Sequence, residues 1–297
     1  MITTAEGAPL YVEEQHSPLR LWRFVRRNPT MVGGMLLFSL MVLMAIGAPY
    51  WGTLDPLELN PIERLRVPSM AHWFGTDMLG RDLYSRTVYG SRISLLVGVC
   101  VAVLSVTIGL AIGLLSGYHR HVDAIVMRVM DGVMAIPAIL LAIALIALVN
   151  ASVQNVIIAL TIPEIPRVVR VVRVVRAVVL SLREQMYIEA LRATGANLRR
   201  ILVRHILPNT VAPLIVQGTY ICASAIIVEA YLSFLGAGTP PEISSWGNIM
   251  AEGRAYVRIA FWILLFPGVC LATTVLAVNL LGDGLRDTLD PKLARRM

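Results

Sequence analysis

The chain has 297 residues, of which 57% are apolar and only 15% are charged, and its mean hydropathy is +0.70. A soluble domain is about 45–50% apolar and about 25% charged, so this chain has too little charge to cover a water-facing surface, and it is too apolar to be disordered. The formal net charge of +7 indicates basic cytoplasmic loops, and the continuous apolar runs exclude a membrane barrel of alternating strands. Composition therefore predicts an all-α polytopic membrane protein.

The membrane spans are predicted from the lengths of the apolar runs. A bilayer core of about 30 Å requires roughly 20 helical residues. The N-terminal arm, residues 1–30, is polar and does not have the layout of a cleaved signal peptide. Five runs that follow it are long enough, and a sixth is interrupted by Pro163, Glu164, Pro166 and Arg167. The predicted spans cover residues 31–51, 93–118, 129–149, the interrupted run from 151, 210–232 and 259–281.

The distribution of basic residues predicts the orientation of these spans. With both termini in the cytoplasm, 19 Lys and Arg residues lie inside and 7 lie outside, as the positive-inside rule favours. Both termini inside requires an even number of spans, so the interrupted run is counted and the total is six. Residues 31–92 then form the first span and an outer loop, and residues 93–297 form a core of five spans. A second outer loop, at about 233–258, is predicted to pack back as a short helix.

Polar side chains inside the predicted spans are candidates for a transport pathway, because buried ionisable groups in a membrane are rare and costly. Glu229 and Asn279 are the candidate pathway-lining residues, although Glu229 equally fits an interfacial carboxylate paired with an outer arginine. Asp131 is expected to be an ordinary carboxylate at a helix start. The three cysteines lie singly within apolar runs, which predicts neither a disulfide nor a metal site.

The cytoplasmic segment of about 180–209 is too charged to cross the membrane but has helical periodicity. Gly195 suits a turn between two helices, and Pro208 suits the first turn of the fifth span. Small residues at positions 190, 193 and 196 would allow another surface to approach closely. The segment therefore fits a helical hairpin that docks a partner, and it equally fits an amphipathic helix lying on lipid headgroups.

A family resemblance favours the docking hairpin. The sequence Glu189-Ala190-Leu191, followed by Gly195 and Leu207-Pro208, resembles the EAA loop of ABC importer permeases, with Leu191 and His205 as departures from the pattern. Segments 72–98, 204–209, 231–250 and 266–293 are similar to the C-type permeases of the dipeptide/oligopeptide/nickel subfamily. The resemblance extends over residues 17–295.

This resemblance implies the type I ABC importer permease fold in a bacterial cytoplasmic membrane. It implies a non-catalytic subunit that pairs with a second homologous permease. The implied partners are two ABC ATPase subunits, which bind ATP and Mg²⁺, and an extracytoplasmic solute-binding protein. It implies no nucleic-acid partner. The chain has no G-x-x-x-x-G-K-[ST] phosphate loop of its own. The implied ATPase-coupling residues are Glu189, Ala190, Leu191, Ala193, Gly195, Ala196, Leu207 and Pro208. The solute stays open among dipeptides, oligopeptides, nickel, glutathione, opines and sugars.

An arginine at every third position, Arg167, Arg170, Arg173 and Arg176, offers an alternative function. Such a ladder is typical of a voltage sensor, so a voltage-gated channel is one rival interpretation and a secondary transporter is another. Two prolines precede the ladder, no TVGYG-like filter occurs, and the EAA-like loop follows it. We therefore expect a helix that leaves the membrane, with its first two arginines extending to the headgroups.

Overall fold

The computed structural model describes residues 28–116, 120–183 and 207–289 of the chain. These residues form α-helices joined by loops and short 3₁₀ turns, and within them the only β pairing is an isolated bridge between Thr76 and Asp82. The predicted all-α class is thus confirmed. In chain order the helices are α1 (Pro29–Ile46), α2 (Leu83–Ser116), α3 (Arg120–Met134), α4 (Ala138–Ala147), α5 (Val153–Arg183), α6 (Leu207–Phe234), α7 (Trp246–Gly253) and α8 (Trp262–Leu289).

The centre of the bundle is the pair α2 and α6, which pack against each other. Helix α5 covers α2, helix α8 covers α6, and α1 lies along α8. The core between them consists of aliphatic side chains that are fully enclosed, among them Val97, Val101, Val156, Ile221 and Ile226. In lipid the hydrophobic effect does not drive helices together, so close packing of this kind has to hold the bundle.

Two glycines one helical turn apart allow α2 and α5 to approach closely. A Cβ atom at Gly109 would lie 2.5 Å from Cβ of Val168, and one at Gly113 would lie 2.5 Å from Cγ1 of Val172. Both valines are buried. The G-x-x-x-G spacing puts the two glycines on one face of α2, and that face receives the valine face of α5.

Four described helices have the length and composition of the predicted spans, and a fifth predicted span is bent. By length and composition, α1, α2, α6 and α8 could each cross a membrane, and the pair α3 and α4 could supply a fifth crossing. Residues 129–149 do not form one straight helix, because α3 and α4 meet at a bend of 87°, so the span predicted there stays a prediction in the form of a bent pair. Pro137 stands at the break, where a proline removes a backbone donor and disfavours helical geometry in the residue before it.

The interrupted run is a continuous helix. Helix α5 passes through Pro163 and Pro166 without ending and extends to Arg183. Proline is tolerated in a membrane helix when neighbouring groups satisfy the freed backbone carbonyls. Because α5 carries charged residues, it is not among the four apolar spans, and the total of six spans with cytoplasmic termini stays a prediction.

Helix α2 begins ten residues before the predicted start of the second span. The added turns are polar in sequence, yet Ser85, Arg86, Thr87 and Ser91 are all buried. Hydropathy alone assigned these residues to a loop, whereas the hydroxyl groups and both Nη atoms of Arg86 have partners within the protein, although Nε of Arg86 has none. This extension carries part of the candidate site.

Candidate functional site

Four charged side chains form a largely buried cluster at the end of the bundle that carries α7. We call this the outer end and the opposite end the inner end, after the orientation predicted from the sequence. We call Asp77, Arg81, Arg86 and Glu252 the outer ion cluster. Nε of Arg81 and Nη1 of Arg86 lie 2.7 Å and 2.5 Å from Oδ2 of Asp77. On Glu252, Oε2 lies 2.5 Å from Nη2 of Arg81 and 2.7 Å from Nη1 of Arg86.

The cluster is internally neutral and joins three parts of the chain. Asp77 is in the first outer loop, Arg86 is on α2 and Glu252 is on α7. The Arg86 side chain is 1% exposed and the Asp77 side chain is 0% exposed. A buried charge is tolerated only when it is paired and hydrogen-bonded, and two arginines opposite two carboxylates meet this condition. The first outer loop is therefore held against both helices.

Helix α7 is the short helix expected in the second outer loop. Ser245 caps its first turn by accepting a hydrogen bond from the backbone N–H of Asn248. The indole Nε1 of Trp246, which is fully buried, donates to the carbonyl oxygen of Thr87 over 3.0 Å. A Cβ at Gly247 would lie 2.7 Å from backbone atoms of Ala230, so α7 rests directly on α6.

Glu229 lies near the outer end of α6 and is fully enclosed by its own chain. Its Oε1 accepts a 2.9 Å hydrogen bond from Oγ of Ser233, while Oε2 has no hydrogen-bond partner. Further buried hydroxyl groups face the carboxyl group, from Ser94, Thr239 and Ser245. The partners described for Glu229 are thus hydroxyl groups and not the outer arginine considered as an alternative.

The inner half of the bundle holds its charges in two separate pairs whose arginines are partly exposed, although Glu164 is buried. Arg167 on α5 contacts the carboxylate of Glu164 one turn earlier. Nη2 of Arg170 donates to Oδ1 of Asp131 over 3.2 Å, and both side chains are more than half exposed. Asp131 lies in the last turns of α3, so the expectation of a carboxylate at a helix start is wrong.

The coupling residues predicted from sequence fall mostly outside the described ranges. Glu189, Ala190, Leu191, Ala193, Gly195 and Ala196 all lie between residues 184 and 206, which the structure does not describe. Leu207 and Pro208 are the first two described residues of α6, which agrees with the position expected for Pro208. Asn279 is half-buried on α8.

A groove of about 460 Å³ runs between α1, α2, α6 and α8. Its lining is aliphatic apart from a few groups such as Thr107 and Thr219, and Asn279 does not contribute to it. So apolar a lining offers almost no hydrogen-bond partners to a polar solute. Across the described segments, no group of three or more His, Cys, Asp or Glu side chains could hold a metal ion.

Comparison with known proteins identifies the family. Residues 105–295 match the family described as the inner membrane component of binding-protein-dependent transport systems. The chain belongs to this family. A probable peptide ABC transporter permease of Sinorhizobium fredii is 52% identical to this permease over 98% of this chain and 97% of its own. The dipeptide transport permease of Alkalihalophilus pseudofirmus is 41% identical over 95% of this chain and 93% of its own.

One solved structure, an inward-facing MetNI methionine ABC transporter, resembles the permease with a TM-score of 0.49 and 21% sequence identity. The match covers 66% of this chain and 94% of the MetNI chain. The family match and the curated relatives confirm the resemblance to ABC importer permeases. They give no support to a voltage-gated channel or a secondary transporter. The arginines at 167 and 170 also have carboxylate partners within the protein.

Sequence analysis missed the outer ion cluster. It counted Arg81 and Arg86 only as loop charges, because their partner Glu252 is more than 160 residues away. Asp77 and Arg81 are close in sequence, but they lie in a loop, where their spacing does not predict that the two charges pair. No sequence periodicity could have placed Glu252 beside them.

Proposed function

We propose that this permease is one of two homologous transmembrane subunits of an ATP-driven importer for di- or oligopeptides in a bacterial cytoplasmic membrane. The observation that carries the proposal is the 52% identity to a probable peptide permease over nearly the whole of both chains. Relatives named for dipeptide and oligopeptide transport, at 41% and 38% identity, support the same solute class. A peptide-binding protein would deliver the solute at the outer face.

The subunit itself would be non-catalytic. Two partner ATPases would bind ATP and Mg²⁺ and would contact the cytoplasmic loop that contains Glu189, Ala190 and Gly195. An ATPase can shift the permease between two states only if it binds them with different affinity, so this contact must change between the states. The remaining predicted coupling residues are Leu191, Ala193, Ala196, Leu207 and Pro208.

Helix α6 offers a mechanical route from this loop to the outer end. Its 28 residues begin at Leu207, within the last residues of the predicted loop, and at 1.5 Å per residue they span about 42 Å. Near its far end stand Glu229 and the contact with α7 at Ala230. A displacement of the coupling loop would therefore move the outer contact of α7 through one continuous helix.

Glu229 and Asn279 stay our candidates for the pathway. In the conformation described here, hydroxyl groups of the same chain enclose Glu229. A pathway role therefore requires that α7 and α6 separate in another state, which would expose the carboxyl group together with its serine and threonine neighbours.

The test is peptide uptake by the complete complex in proteoliposomes. We expect uptake to require ATP, the ATPase subunits and the binding protein, and uptake driven by an ion gradient alone would contradict the proposal. The variant Gly195→Val should enter the membrane and leave ATP hydrolysis in place while uptake is lost. Gly33→Val is the matched control, because a Cβ at Gly33 meets nothing within 4 Å. Normal uptake by Gly195→Val would remove the coupling assignment.

A further inference from the structure

Two carboxylates hold both ring nitrogens of a histidine in the first outer loop. Nδ1 of His72 lies 2.8 Å from Oδ1 of Asp82, and Nε2 lies 2.9 Å from Oε2 of Glu63. The His72 side chain is 12% exposed, Asp82 is 7% exposed and Glu63 is 39% exposed. We call these three residues the loop clamp.

The geometry of the loop clamp requires a proton in addition to those of neutral imidazole. An ionised carboxylate only accepts hydrogen bonds, and a neutral imidazole has a single N–H donor. Both short contacts are therefore hydrogen bonds only when the ring carries a second proton or one of the two acids does. In either arrangement, loss of that proton leaves one nitrogen facing a carboxylate without a hydrogen between them.

The loop clamp connects the first outer loop to the start of α2. Oδ2 of Asp82 accepts from the backbone N–H of Ser85 at 2.8 Å and from its Oγ at 2.6 Å, which caps the helix. The Ser85 hydroxyl oxygen in turn accepts from the backbone N–H of Leu54 at 2.8 Å. Asn60 donates to Glu63 over 3.1 Å. Residues 54–63 are thus linked to α2 through one chain of hydrogen bonds.

We infer that His72 is a positioning residue whose proton fastens the first outer loop to the start of α2. Two further carboxylates, Asp55 and Glu58, line the same small pocket and face the clamp. The nearby arginines at positions 81 and 86 are engaged in the outer ion cluster. The charges around the imidazole are therefore mainly negative.

The proton is favoured in the folded loop. Burial lowers the pKa of His72, but the hydrogen bonds that the ring donates to Asp82 and Glu63 and the charges of both acids outweigh it, so the pKa lies above its ordinary value of 6.5. A group whose pKa is raised on folding contributes its full stabilisation below its unfolded pKa and loses it as the pH rises through the folded pKa. The His72 proton thus fastens the loop fully below about pH 6.5, and this contribution is lost as the pH rises through the higher pKa of the folded loop.

Amide hydrogen exchange of the full chain in nanodiscs tests this inference. The readout is the protection of amides in residues 54–66, corrected for intrinsic exchange, between about pH 6 and about pH 9. In the wild type we expect protection to fall about tenfold or more with rising pH, as for the loss of a hydrogen bond to a charged group. His72→Gln should show the low protection at every pH, while His72→Arg, which stays charged, should keep the high protection.

The matched control is His121→Gln, which removes an exposed histidine of α3 and should reproduce the wild-type profile. Amides in the core of α6 report on global folding and should not change with pH. A wild-type profile that is flat over this range, or a pH-dependent fall that persists in His72→Gln, would overturn the inference. If His72→Arg does not fold, the comparison between wild type and His72→Gln decides the question. The readout does not depend on the transported solute, so it is independent of the proposed function.

Discussion

The two ends of the bundle hold their charged groups in opposite ways. At the outer end, Arg86 and Asp77 are almost completely buried and belong to a neutral cluster of four charges. In the inner half, the Arg170 and Asp131 side chains are 54% and 60% exposed and form one pair at 3.2 Å. Buried pairs are strongly sensitive to loss of a partner, whereas exposed pairs contribute little.

This difference indicates at which end the charged groups find their partners within the same chain. The outer cluster uses residues from the first loop, α2 and α7, so its charges find partners within one polypeptide. The inner arginines of α5 at positions 167 and 170 are 43% and 54% exposed, although the Glu164 carboxylate that Arg167 contacts is buried. That contrast agrees with our proposal that ATPase partners approach from the inner side, where the predicted coupling loop also lies.

The largest effect is expected from removing the central cation of the outer cluster. Arg86→Leu would leave Asp77 and Glu252 with Arg81 as their remaining cation, and we expect a loss of about 3–5 kcal/mol of stability. The measurement is the temperature at which the purified chain in detergent loses its monodisperse elution. Arg170→Leu on the inner side is the control and should move this temperature much less. Equal shifts for both variants would remove the contrast between the two ends.

The same contrast explains what could be predicted from sequence. Helices α1, α2, α6 and α8 follow from unbroken apolar runs, and α7 follows from a polar loop that retains apolar residues. The break before α4 was missed because residues 129–149 are apolar on both sides of Pro137, so hydropathy could not separate two helices from one. The outer cluster was missed because its partners meet only in the folded chain.

The second prediction asks whether the inner half depends on packing rather than on charge. At Gly113 a Cβ would already lie 2.5 Å from Val172, so Gly113→Leu should force α2 and α5 apart and destabilise the bundle by about 1–3 kcal/mol. Thermal stability in detergent measures the effect. Gly132→Leu is the control, since a Cβ there meets nothing within 4 Å. A neutral Gly113→Leu would mean that the close contact between α2 and α5 is not required.

A smaller effect tests the polar anchoring of α7 at the outer end. Trp246→Phe keeps an aromatic side chain at this buried position, although a smaller one, and removes the 3.0 Å hydrogen bond to the carbonyl oxygen of Thr87. Because a buried carbonyl then lacks its donor, we expect a loss of about 1 kcal/mol, visible as faster amide exchange in α7. Trp51→Phe, at an indole that is 50% exposed, should leave α7 unchanged. Unaltered exchange in Trp246→Phe would show that packing alone holds α7.

The smallest effect belongs to the inner ion pair and is the sharpest check on the comparison. A double-mutant cycle between Arg170→Gln and Asp131→Asn should give a coupling of about 0.2–1 kcal/mol, because both side chains are more than half exposed to solvent. Added salt should remove most of this coupling, since exposed charges are screened. A coupling of several kcal/mol that persists at high salt would show that the pair is buried in the assembled complex. The inner end would then be completed by partner subunits that cover α3 and α5 at this position.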